Sequence, residues 1–120
     1  MKVLDLLSLA RANRPRFQLH INEFVDTFRR APSGEERARL VADGPPHDGE
    51  LEGLVSAIVS ALCRETQTPA PTWVEHIASP SPFFVVPAKG YALRVRLMLE
   101  SPPPFRVRKV FVPENYLSRA

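Results

Sequence analysis

The stretch "DGELEGLVSAIVSALCRE", residues 48–65, decides the fold. Leu51, Leu54, Val55, Ile58, Val59 and Leu62 recur at three- and four-residue spacing, which makes a broad apolar stripe on one helix. Asp48 stands where a capping side chain would, Glu50 and Glu52 lie near the positive end of the helix dipole, and Arg64 lies near the negative end. A helix so patterned belongs at the centre of a core. Cys63, near its end, reads as a small packing residue rather than a nucleophile, because free cysteine is among the most buried residue types.

Toward the N-terminus, two further helices precede it. In "LHINEFVDTFRRAP" (19–32), Ile21, Phe24, Val25 and Phe28 share one face, and Pro32 closes the element. "SGEERARLVADG" (33–44) begins with Ser33 and Glu36 in the spacing of a capping box, and Gly44 with Pro45 and Pro46 ends it. The opening "MKVLDLLSLARANR" (1–14) carries Val3, Leu4, Leu6, Leu7 and Ala10 at helical spacing, and Pro15 disfavours helical geometry at Arg14. Asp5 interrupts its apolar run and no small-residue cleavage site follows, so it reads as a helix and not as a signal peptide.

Toward the C-terminus the character changes. Pro69, Pro71, Pro80 and Pro82 bracket a short helical turn around Trp73, Val74 and Ile77, and "FFVV" (83–86) reads as a brief strand or a buried apolar plug. "KGYALRVRLMLE" (89–100) is the last proper helix, with Tyr91, Val95 and Met98 on one line and Leu93 and Leu97 on another. "SPPP" (101–104) cannot continue it. In "FRVRKVFV" (105–112) apolar residues alternate, but Phe105 and Val107 fall on one face and Val110 and Val112 on the other. That slip predicts an extended segment with a bulge, or one wrapped by protein on both sides. The expected fold is mainly α: a compact bundle of about four to five short helices over residues 1–100, with a Pro-rich, basic, partly extended segment over 101–120 packed on that domain or on a partner.

Composition agrees with a single domain. At 120 residues, 44% hydrophobic and 24% charged, the chain is an ordinary globular size and mix. Thirteen prolines against five glycines imply short elements and stiff joints. No apolar run approaches the roughly 20 residues of a membrane span, so no membrane partner is expected. A single cysteine fits a reducing, cytoplasmic setting. The net charge of +3 is unevenly spread: four basic groups against one acidic over residues 1–18, five against ten over 19–88, and seven against two over 89–120. A basic end on an acidic body suits an acidic partner, or a tail folded back on its own chain.

Residue patterns for catalysis are missing. The chain has no glycine-rich phosphate loop, no G-x-S-x-G elbow and no H-E-x-x-H pair. Cys63, His20, His47 and His76 lack zinc-ligand spacing. Glu35 and Glu36 sit in a capping context, and His76, beside Glu75, has no nucleophile to serve. The expectation is therefore no catalytic residue, no metal site, no cofactor and no enzyme. Candidate partner-binding residues are Phe105 and Phe111 as apolar anchors, with Arg106, Arg108 and Lys109 facing acids and Arg94 and Arg96 on the last helix. The alternative is a DNA-binding regulator that uses these cations on phosphate. Against it, the second helix of the 19–43 pair carries acids where a recognition helix needs bases. The stripe at 51–62 leaves a homodimer open.

Residues 24–120 as a series resemble a group of small bacterial proteins. The anchors are "ADGPP" at 42–46, "PAPTWV" at 69–74 and "ESPPPFRVRKVFV" at 100–112. In that group a helix ends in a phrase like "RRLLAEEPP", another is followed by "PPPAW", and the end reads like "ESPAAFRRRGIFV". Its members look like the antitoxin half of toxin–antitoxin pairs and sit beside a nucleotidyltransferase-like protein. Some carry an N-terminal helix-turn-helix, for which residues 1–23 here are too short. The resemblance implies a non-enzymatic protein that binds and neutralises a nucleotidyltransferase-type toxin.

Overall fold

The computed structural model describes residues 1–86 and 89–118. Helices α1 (Val3–Ala12), α2 (Phe17–Arg30), α3 (Gly34–Val41) and α4 (Glu50–Glu65) are followed by the two-residue strand β1 (Phe83–Phe84), helix α5 (Tyr91–Glu100), the single-turn helix α6 (Pro103–Arg106) and strand β2 (Val110–Phe111). Short 3₁₀ turns lie at Arg14–Arg16 and Thr72–Glu75. The architecture is mainly helical, as the periodicity predicts.

Helix α4 is the hub. Leu54, Val55, Ala57, Ile58, Val59 and Leu62 are fully buried, and α1, α2, α6, β2 and the Thr72–Glu75 turn all pack on it. The inward sides of α1 (Val3, Leu6, Leu7, Ala10) and α2 (Ile21, Phe24, Val25, Phe28) complete one continuous core. Burying such side chains contributes about 1.5–3 kcal/mol each, which is what holds helices this short in place.

The cap of α4 differs from the sequence expectation. Gly49 occupies the N-cap, and Asp48 instead accepts the Ala78 N–H on its Oδ1 at 3.1 Å. Gly49 N–H donates to Ala78 O at 3.2 Å, so the 78–79 backbone lies directly against the first turns of α4. Gly53 allows that approach: a Cβ there would stand 2.4 Å from Ser79 N. Ser33 does cap α3, accepting the Glu36 N–H at 3.2 Å.

The last twenty residues differ more. Ser101 ends α5, and Pro103 and Pro104 then begin a new helical turn, the one place in a helix where a missing N–H costs nothing. Phe105 and Arg106, where the alternation suggested an extended run, are thus helical. The slip has its reason in this turn, which rotates Val110, Phe111 and Val112 into the interior together. Phe83 pairs with Val110 and Phe84 with Phe111 in a parallel ladder, closed by Phe83 N–H to Lys109 O at 2.9 Å and Val85 N–H to Phe111 O at 3.1 Å. The C-terminal segment packs on the helical body and shares its core through Phe105, Val110 and Val112.

Candidate functional site

The seven candidate residues do not form one surface. Phe105 is 1% exposed and meets Tyr116 edge-on, with ring centroids 5.8 Å apart. Phe111 is buried, packed on Phe84 at 5.2 Å. Arg106 folds back on the end of α5, donating from Nη2 to Ser101 O at 2.9 Å and to Leu99 O at 3.3 Å. Lys109 is exposed and sits at φ +61°, where the chain turns from α6 into β2. Arg94 lies over the Phe84 ring at 5.6 Å, and Arg96 pairs with Glu100 at 3.5 Å.

Arg108 points inward. It is 9% exposed, and its guanidinium donates to Val74 O (2.7 Å from Nη2, 3.2 Å from Nε), to Ser56 Oγ (3.0 Å) and to Pro104 O (2.7 Å). Ser56 in turn donates to Val74 O at 2.9 Å. Burial lowers the Arg108 pKa, and the Glu75 carboxylate acts in the opposite direction. An arginine suits this place because its planar fork satisfies three oxygens from three separate elements at once. Arg108 thus ties the 104–110 turn to α4 and to the Thr72–Glu75 turn.

A second tie is made by Ser101, fully buried. Its hydroxyl accepts the Val112 N–H at 2.9 Å and faces Leu97 O and Val112 O. A third is Trp73, which donates from Nε1 to Val41 O at 2.8 Å, with its ring against Gly44. The phrases "ADGPP", "PAPTWV" and "ESPPPFRVRKVFV" therefore meet in space at Trp73 and Val74. Sequence reasoning missed Ser56 and Ser101. The available signal was a serine inside the apolar stripe of α4 and another directly before three prolines.

The electrostatics divide by end. Arg11 and Arg14, in the basic N-terminal stretch, pair with Glu52 and Glu50 at the start of α4, and Arg29 pairs with Glu65 at its end through two bonds of 2.9 and 3.0 Å. At the other end, Arg106 and Arg108 take carbonyl and hydroxyl oxygens instead, and Arg96 takes a carboxylate of its own helix. Glu50 and Glu52 are thus answered by the N-terminal cations, and Glu35, Glu36 and Glu65 by arginines of the body itself.

Among the described residues, no three His, Cys, Asp or Glu side chains converge as a metal ligand set. No helix among them is long and apolar enough to cross a membrane. An open cleft of about 540 Å³ lies between Arg29, Glu65, Phe105, Tyr116 and Leu117, and its arginine and glutamate are paired with each other. Burial raises the Cys63 thiol pKa, which disfavours the thiolate. Comparison with protein-family models, with curated proteins and with solved structures finds no match to this chain.

Proposed function

We propose that this chain is a non-enzymatic, antitoxin-type protein that binds a nucleotidyltransferase-like partner and silences it. The partner's identity rests on the resemblance of residues 24–120; the mode of binding rests on charge. Nucleotidyltransferase sites hold carboxylates that bind metal, and a basic face is the natural complement to them. The observation that carries the reading is the division of ion pairs: the N-terminal cations reach the acids of α4, while Arg106 and Arg108 are held by neutral oxygens. Positive charge is thereby kept on the C-terminal third. In this reading Arg94, Arg106 and Lys109 present that charge, with Arg96 beside them in its pair with Glu100, and Phe105, Arg108 and Phe111 hold the segment in shape beneath it.

Co-expression with the product of the adjacent gene is the test. A complex that survives purification and relieves growth arrest supports the reading. No complex at low salt refutes it. Binding to promoter DNA with steep salt dependence, in place of protein binding, would favour a regulator. The second helix of the α2–α3 pair gives that alternative little, since Arg39 is held by Glu35 and Glu36.

A further inference from the structure

Helix α5 is apolar on two sides, and it is anchored on one of them through Leu97. Steps of about 100° per residue set Leu93 and Leu97 on one side and Tyr91, Val95, Met98 and Leu99 on the other. Leu97 is the one buried residue of the helix, at 3% exposure. On the opposite side Tyr91 is 85% exposed, Leu99 72% and Met98 40%, with Val95 half-buried between them. An ordinary surface helix carries polar residues there. Together these side chains show on the order of 400 Å² of mostly apolar surface, the size of the largest patch on a typical monomer and of the kind that marks an interaction site. The helix is held at its exit by the Ser101 ties to Val112, so the stripe is presented at a fixed angle.

Charge selects the occupant. Arg94 and Arg96 flank the stripe, one on each side. Lys89 precedes the helix, and Arg106, bonded to Leu99 O, sets the cationic 106–109 turn beside its end. A second copy of α5 packed antiparallel about Val95 would bring Arg94 of one chain to Arg94 of the other on one edge and Arg96 to Arg96 on the other, a like-charge contact on both. A surface that matches must be apolar along its middle and acidic along its rims.

We propose that the outward stripe of α5 is the docking face for the partner, seated in an apolar groove bordered by carboxylates. Tyr91 and Leu99 are its anchors, Arg94 meets one rim, and Arg96 meets the other by exchanging its pair with Glu100. The inference rests on the reading that the chain binds a nucleotidyltransferase-like protein, and adds which surface does so.

The test measures affinity of the adjacent gene product for the wild-type chain, for a Tyr91→Glu/Leu99→Glu variant, and for Leu19→Glu on α2, where Leu19 is 55% exposed. All three positions are solvent-facing, so the fold tolerates the changes, and a thermal melt checks it. The expected result is at least a tenfold loss for the α5 variant, less than twofold for Leu19→Glu, and a loss for Arg96→Glu that shrinks as salt is raised. If the wild-type chain binds and the α5 variant binds equally well, the docking face is overturned and the proposed function stands. If the wild-type chain binds nothing, both fall. A wild-type dimer that Leu99→Glu splits into monomers would show that a second copy covers the stripe, and would overturn the acidic partner.

Discussion

Replacing Arg108 distinguishes a clasp within the fold from a hand held out to a partner. Its guanidinium reaches Ser56 Oγ, Val74 O and Pro104 O over 2.7–3.2 Å. Hydrogen bonds from a charged donor contribute about 1.5–3 kcal/mol each. Against them stands a desolvation cost of several kcal/mol for the buried cation. Arg108→Met removes both sides of that balance. Val74 O keeps its bond from Ser56, so Pro104 O is the chief acceptor left without a donor. The expected loss of stability is about 1–3 kcal/mol. Arg108→Lys keeps the buried charge but replaces a fork by a single ammonium, and should cost more than methionine. Arg108→Ala adds a cavity and should cost most, about 3–5 kcal/mol. Urea unfolding of the three variants gives the order, and a double-mutant cycle with Ser56→Ala should show coupling of about 1–2 kcal/mol. Stabilities within about 0.5 kcal/mol of wild type for all three, together with lost partner binding, would refute the reasoning.

Two other perturbations follow from the same packing. Gly53→Ala raises helix propensity by about 1 kcal/mol, yet its Cβ would stand 2.4 Å from Ser79 N and 2.8 Å from Ala78 C. That backbone is tied to Asp48 and Gly49 and cannot retreat, so the clash should win and thermal melting should fall by several degrees; a raised melting temperature would contradict this. Tyr116 has its hydroxyl pKa pushed up to about 12, first by burial and, in the opposite sense, by donation to Gln18 Oε1 at 2.7 Å. The folded state therefore holds this proton more tightly than the unfolded chain. Its contribution is complete below pH 10 and is lost as pH rises toward 12, a difference on the order of 2 kcal/mol. Unfolding curves at pH 9 and pH 11 should converge more in Tyr116→Phe than in wild type, and equal pH dependence in the two would remove Tyr116 as the cause.

Helices α1 to α4 were legible in the sequence because each carries an apolar line at helical spacing, and that line is the side turned inward. Helix α5 has two apolar lines, and nothing local chooses between them. The choice is made by long-range contacts, the burial of Leu97 and the Ser101–Val112 bonds. The same limit governs the end of the chain. "FRVRKVFV" looks like a slipped strand because alternation describes neighbours two apart, whereas Phe105 and Arg108 are brought to one side by a helical turn of three. Proline before that turn forbids continuing α5 but permits starting α6, and the composition of "SPPP" does not tell the two apart. The candidate residues were therefore legible as a region and not as a set of side chains. Its cations were visible, but which of them serve the fold was decided by oxygens 34 and 52 residues away.

Amide hydrogen exchange, read on the chain alone and with the product of the adjacent gene, tests the division between a structural C-terminal segment and an outward-facing helix. The account predicts that the amides of Val85 and Val112, bonded to Phe111 O and Ser101 Oγ, exchange slowly in the isolated chain, near the limit set by global unfolding, and that the partner slows chiefly α5. Fast exchange at Val85 and Val112 that becomes slow only when the partner is added would contradict it, because the segment would then be ordered by binding and not by its own core.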